Sequence, residues 1–164
     1  MIYEIKDTNK ISPLFGHWEE TLIWSCLQGI MGKIYANDLT APTAAMAVIG
    51  DFTFFAGEPC PELIAYRPPH CTQNFMIAVP QNKLWENMLT QFYGKKAKII
   101  SRYATKKEPP IFNKHHLEKI VASLPKQYTL SMIDSHFYKL CKSEAWSKDL
   151  VSQFSTYEKY RRLG

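Results

Sequence analysis

A chain of 164 residues, 46% of them hydrophobic and 13% aromatic, is long enough for one packed domain and too short for two comfortable ones, and its composition excludes an unfolded chain. No stretch approaches the roughly 18 apolar residues of a membrane-crossing helix, and Met1 to Lys6 carries no basic start backed by an apolar run, so neither a span nor an export signal is expected. The net charge of +5 permits an anionic partner without demanding one.

In chain order, Leu22, Ile23, Cys26 and Leu27 fall at helical spacing before Gly29, which predicts a helix that stops at that glycine. From Lys33 the pattern changes to short apolar stretches: Ile34 to Ala36, Ala45 to Ile49 and Phe52 to Phe55, the last two separated by Gly50-Asp51. An antiparallel hairpin or meander follows. Gly57, Pro59 and Pro61 break the last strand, and Leu63, Ile64 and Tyr66 form a short helix or loop that Pro68-Pro69 ends.

Phe75 to Val79 is apolar at successive positions and predicts a strand in the interior of the sheet. Asn82 then caps a helix whose apolar stripe is Leu84, Trp85, Met88, Leu89 and Phe92, with Gly94 as its stop. With Ala97 to Tyr103 as the next strand, these segments make a strand–helix–strand unit. A second helix starts after Asn113 with Leu117, Ile120, Val121 and Leu124 on one face, and Pro125 ends it. Tyr128 to Ile133 alternates as a strand. Phe137, Leu140 and Cys141 predict a helix, Ser147 opens another carrying Leu150, Val151 and Phe154, and Ser155 with Glu158 forms a capping box for a last one. The mixture of hairpin and crossover connections predicts an α/β (α+β) fold with a mixed, mostly antiparallel central sheet flanked by helices.

The chemistry is narrowed first by exclusion. There is no G-x-S-x-G elbow and no phosphate-binding G-x-x-x-x-G-K-[ST] loop, and no two of the seven glycines stand two apart as a dinucleotide fingerprint requires. The cysteines Cys26, Cys60, Cys71 and Cys141 are scattered, without the density of a disulfide framework, and read as free thiols of a cytoplasmic protein. His70-Cys71 near Cys60, and the adjacent pair His115-His116, do not make a ligand set, so no metal is expected. Asp134, His136 and Tyr138 gather just past a strand, where functional groups collect at a sheet edge, although Asp134 serves equally as a helix cap. Lys95 to Tyr103 alternates cations with apolar residues. That pattern brings Arg102 and Tyr103 to a phosphate, or else marks an edge strand guarded by lysine. Stacking of single strands on Tyr93 and Tyr103 beside the basic 95–107 stretch is a further reading, but a pI near 9.0 is common in proteins that bind no nucleic acid, which is not the expected partner.

Several stretches resemble the GNAT superfamily, specifically GNAT acetyltransferase-like proteins of the zwittermicin-resistance type. They are Gly50-Asp51-Phe52 leading into Phe55-Ala56-Gly57, Arg102-Tyr103 with Lys106-Lys107-Glu108, Ile133-Asp134, and Trp146-Ser147-Lys148-Asp149 with Phe154 and Tyr157. The resemblance implies an amino-terminal GNAT-like domain at 1–145, with 146–164 as the opening helices of a following catalytic GNAT domain. It implies acetyl-CoA as cofactor of the parent protein, a small-molecule amine as acceptor, and the carboxy-terminal GNAT domain of the same protein as partner. The front part would supply the wall of the substrate cleft from Asp134, His136, Tyr138, Arg102 and Tyr103. GNAT enzymes hold the cofactor pyrophosphate on amides of an R/Q-x-x-G-x-G/A loop opening a helix. Here Arg161-Arg162-Leu163-Gly164 gives only R-x-x-G, where a helix is predicted, so this chain alone is expected to be inactive and no catalytic residue carries over. A non-catalytic binding module of the same shape is the alternative.

Overall fold

The computed structural model describes residues 1–103 and 112–163. Lys106, Lys107 and Glu108, the end of the basic stretch and Gly164 lie outside the described residues. Two compact units are formed, residues 1–98 and residues 99–162.

The first unit is built on a five-stranded sheet in which the spatial order of strands is the order in the chain: β1 (Tyr3–Ile5), β2 (Lys33–Ala36), β3 (Ala44–Ile49), β4 (Phe52–Gly57) and β5 (Ile77–Pro80). Neighbours are antiparallel except β4 and β5, which run parallel. The Gly50-Asp51 turn places Ile49 opposite Phe52 and Ala44 opposite Gly57. Alternation along the strands then sorts two cores. Ile34, Ala36, Ala45, Ala47, Ile49, Phe54 and Ala56 share one with Ile23 and Cys26 of α2 (Thr21–Leu27) and with Ile11 and Phe15, the latter in α1 (Ser12–Phe15). Tyr35, Ala44, Met46, Val48 and Phe55 share the other with Leu63 and Ile64 of α3 (Pro61–Ala65) and Trp85 and Leu89 of α4 (Lys83–Tyr93).

The helices begin as their residues require. The Glu20 carboxylate accepts from the Leu22 amide at 3.3 Å at the head of α2, and Asn82 accepts from the amides of Leu84 and Trp85 at 3.1 and 3.2 Å at the head of α4. Within α4 the predicted stripe divides: Trp85 and Leu89 are buried, whereas Leu84 and Phe92 are exposed. The fold is thus the mixed, mostly antiparallel α/β arrangement expected.

Three expected strand features differ. β5 is not interior, because β4 is its only partner among the described residues and all four of its residues are only half-buried. Ala97 to Tyr103 is not a strand: a 3-10 turn at Gly94–Lys96 follows α4, and the exposed residues beyond it pair with no sheet. The strand–helix–strand unit therefore keeps its first strand and helix and lacks its second strand. Tyr128 to Ile133 likewise carries no strand.

The second unit contains α5 (Lys114–Ala122), α6 (Ser135–Ser143), a 3-10 turn at Lys148–Leu150 and α7 (Tyr157–Leu163). Asn113 caps α5 through the His116 amide at 3.0 Å, yet no residue of α5 is buried. The helix expected from Ser147 shrinks to the 3-10 turn, with Val151 and Phe154 buried beyond it. α7 is capped by Thr156, whose hydroxyl accepts from the Lys159 amide at 3.2 Å, rather than by Ser155.

Gly57 tests the register of the β3–β4 pair. Its φ is +78°, and a Cβ there would stand 2.2 Å from the Thr43 carbonyl oxygen, while Gly50, at φ +54°, faces open space. In urea unfolding, Gly50→Ala is expected to cost about 1 kcal/mol and Gly57→Ala at least about 3 kcal/mol, because the second adds a backbone clash to the left-handed strain.

Candidate functional site

The C-terminal ends of the parallel pair β4 and β5 are the natural crevice of the first unit, since ligands in mixed and parallel sheets gather where such strands end. At this point β4 turns into α3. The Gly57 amide donates to the Gln81 side-chain oxygen at 3.0 Å, and the Gly57 carbonyl accepts from the Trp85 indole N–H at 2.8 Å. The Gln81 backbone amide donates to Phe55 at 3.0 Å, and its side-chain nitrogen donates to the Leu14 carbonyl at 2.7 Å. Gln81 therefore ties together β4, β5 and α1. Trp85 is fully buried, with its ring 5.1 Å from that of Phe55. Gln81 and Trp85 thus engage the backbone at this end of the sheet.

The turn that follows presents few free amides. Pro59 and Pro61 have none, the Glu62 amide bonds its own carboxylate, and Leu63 donates back to the Cys60 carbonyl at 3.1 Å. The Glu62 carboxyl is held below the usual carboxylate range, first by that amide and then by the Cys60 thiol. A negative charge thus sits in the first turn of α3.

Of the residues marked by sequence, Asp134, His136 and Tyr138 lie at or within α6. Asp134 is the cap, accepting from the Phe137 amide at 2.9 Å. Tyr138 is buried, and its hydroxyl donates to the Phe154 carbonyl at 2.6 Å. His136 is exposed and meets Phe137 edge-on at 5.7 Å. Arg102 and Tyr103 lie on the exposed stretch after the 3-10 turn, Tyr103 being 96% exposed. Tyr93, the other aromatic considered for stacking, is committed through its hydroxyl to the Ile64 carbonyl at 3.0 Å. On α7, Tyr157, Glu158, Arg161 and Arg162 line a concavity of about 430 Å³.

Three thiols of the first unit are held in the protonated form. Burial pushes the Cys26 thiol up to about 12 against the Lys33 amide, and burial also raises Cys60 and Cys71. Tyr35 is raised by burial, and its hydroxyl lies 3.3 Å from Nδ1 of His70, which burial pushes below the usual range. Among the described residues no group of three metal-binding side chains assembles. No described helix is long and apolar enough to cross a membrane.

The family model for GNAT acetyltransferases matches residues 12–164. The chain belongs to the GNAT acetyltransferase family. A solved GCN5-related N-acetyltransferase-like protein from Streptococcus suis 89/1591 superposes with a TM-score of 0.80 at 37% identity, over 95% of this chain and 62% of that one. The chain thus spans less than two thirds of the length of that GNAT relative. No curated protein matches it.

GNAT acetyltransferases use acetyl-CoA, and the first unit can be tested for fit to it. A pyrophosphate needs several open amides at a helix start. The β4–α3 turn offers two prolines, a carboxylate and, at Glu58, Glu62 and Leu63, amides already bonded, and Gln81 and Trp85 occupy both backbone groups of Gly57. These residues do not fit the cofactor. Arg161 and Arg162 stand on a helix, not in a loop after a strand. The residues that sequence reasoning missed are Gln81 and the Trp85 indole: Gly57 followed by two prolines marks the end of β4, but nothing in the pattern says which side chains return to it.

Two substitutions separate holding from chemistry. Gln81→Leu strands the Gly57 amide and the Leu14 carbonyl and is expected to cost about 2 to 4 kcal/mol in chemical denaturation. Tyr138→Phe removes one buried hydrogen bond and should cost about 1 kcal/mol, with its far-ultraviolet circular dichroism unchanged.

Proposed function

We propose that this chain is the amino-terminal part of an acetyl-CoA-dependent N-acetyltransferase of GNAT type, contributing a wall of the acceptor cleft and a docking surface rather than the cofactor site. The observation that carries this reading is the conjunction of family membership over 12–164 with a β4–α3 turn that presents few open amides. An acetyl-CoA loop then belongs to the remainder of the protein, in line with the 62% of the solved relative that is spanned. The partner is the carboxy-terminal GNAT domain of the same polypeptide, opened by the helical stretch 146–164. The acceptor is a small-molecule amine.

In this reading the groups that reach substrate are His136, Arg102 and Tyr103. Asp134 and Tyr138 hold α6 in place, since their polar atoms are taken by the Phe137 amide and the Phe154 carbonyl. A non-catalytic binding module accounts for the same contacts at this end of the sheet and is separated by titration.

Isothermal titration of acetyl-CoA into the 164-residue chain should give no binding heat, whereas the full-length protein should bind with a Kd in the range of about 1 to 100 μM, near −8 to −5.5 kcal/mol. Saturable binding by the 164-residue chain sinks the reading. Binding by neither favours the binding module.

A further inference from the structure

α7 is fixed on one side and open on the other. At about 100° per residue, Tyr157, Arg161, Glu158 and Arg162 fall in that order on one arc of about 140°, and Tyr160 lies off it. Tyr160 faces the rest of its unit: its ring is 5.7 Å from that of Tyr138 and 5.5 Å from that of Phe154. Tyr157 stands at the border, half-buried, with its ring 5.8 Å from that of Tyr138. The Thr156 hydroxyl holds the first turn through the Lys159 amide. The arc is therefore carried on an anchored element, and it lines the concavity of about 430 Å³. Sites for small molecules run from about 300 to 1,000 Å³.

The charged groups of this arc are uncommitted. Among the described residues, Glu158, Arg161 and Arg162 are exposed and enter no side-chain hydrogen bond or ion pair. Glu158 and Arg162 stand four apart, a spacing at which opposite charges on a helix can close on each other, as Lys114 and Glu118 of α5 do at 3.8 Å. On α7 the pair stays open. Two guanidinium forks and one carboxylate beside a tyrosine ring match a ligand with the opposite arrangement. An oxyanion suits the forks, which present paired N–H donors. An ammonium suits the carboxylate and the electron-rich face of the ring.

We propose that the α7 concavity binds a small amine that also carries an oxyanion, a carboxylate or a phosphate, with Arg161 and Arg162 on the oxyanion and Glu158 and Tyr157 on the amine. This rests on the proposed function and deepens it, because the acceptor becomes an acidic amine rather than a plain one. The charged groups are exposed, so binding by this chain is weak and falls with added salt.

The test is a nuclear magnetic resonance titration of this chain that follows the Arg161 and Arg162 side-chain signals. The probes are aminoethylphosphonate and β-alanine, beside ethylamine and inorganic phosphate. At least one of the two bifunctional probes should bind with a Kd below about 5 mM, and at least about tenfold tighter than ethylamine or inorganic phosphate. Which of the two binds better tells phosphate from carboxylate. Arg161→Gln with Arg162→Gln should weaken that probe by at least about tenfold, followed by proton shifts elsewhere in its vicinity, and Glu158→Gln by at least about threefold. Arg161→Lys with Arg162→Lys keeps the charge but loses the forks, and should weaken it by at least about threefold. Melting temperatures within about 2 °C of the parent chain show that these exposed substitutions keep the fold. Binding of no probe, inorganic phosphate bound as tightly as the bifunctional probes, or affinity unchanged in any of the three variants overturns the proposal. None of the probes requires acetyl-CoA. Probe binding by this chain, with no acetyl-CoA binding by the full-length protein, leaves the site standing and removes the functional reading. Acetyl-CoA binding by the full-length protein without probe binding does the reverse.

Discussion

Burial of β3 on both faces governs the first unit. All six of its residues, Ala44 to Ile49, are buried, and its backbone is paired on both sides, with β2 and with β4. A strand in that position can carry no polar side chain without loss, and it needs a cover above and below. Two layers follow: α1 and α2 over one face, α3 and α4 over the other. The alanines at 44, 45 and 47 set how near those layers come, because small side chains at the middle of the sheet leave room for Phe54 on one side and for Phe55 and Trp85 on the other.

Where β4 leaves the sheet, the same packing decides what the crevice can hold. Trp85 must reach a hydrogen-bond acceptor because its indole is buried, and the carbonyl of Gly57 is the one it finds. Gln81 satisfies the amide of the same residue and reaches on to Leu14. A crevice closed by obligatory hydrogen bonds is not one that opens for a ligand at small cost.

Much of this was legible in the residues, and the failures share a cause. The 45–49 and 52–55 strands, the Gly50-Asp51 turn, and the Asn82 and Asn113 caps are set by contacts within a few residues, and they fall where the pattern places them. At 97–103 and 128–133 the sequence alternates as a strand would, but alternation reports a preference for being paired and not the presence of a partner. β1 and α1, three and four residues long, are too short to leave a period in the sequence at all. The candidate groups on α6 were legible as a cluster. Which of them is structural depended on Phe154, sixteen residues on from Tyr138, and no local pattern records that contact.

Chain order equals spatial order across the sheet of the first unit, and this bears on how the protein is made. As the polypeptide leaves the ribosome, each of β2, β3 and β4 emerges beside a strand already synthesised, and each turns back on its predecessor through a connection that needs no threading. Only β5 must cross over through α3 to lie parallel to β4. The exposed apolar edge of a half-made sheet is a hazard during synthesis, and here it is carried forward one strand at a time, so a nascent chain displays a single growing edge rather than several unmatched ones.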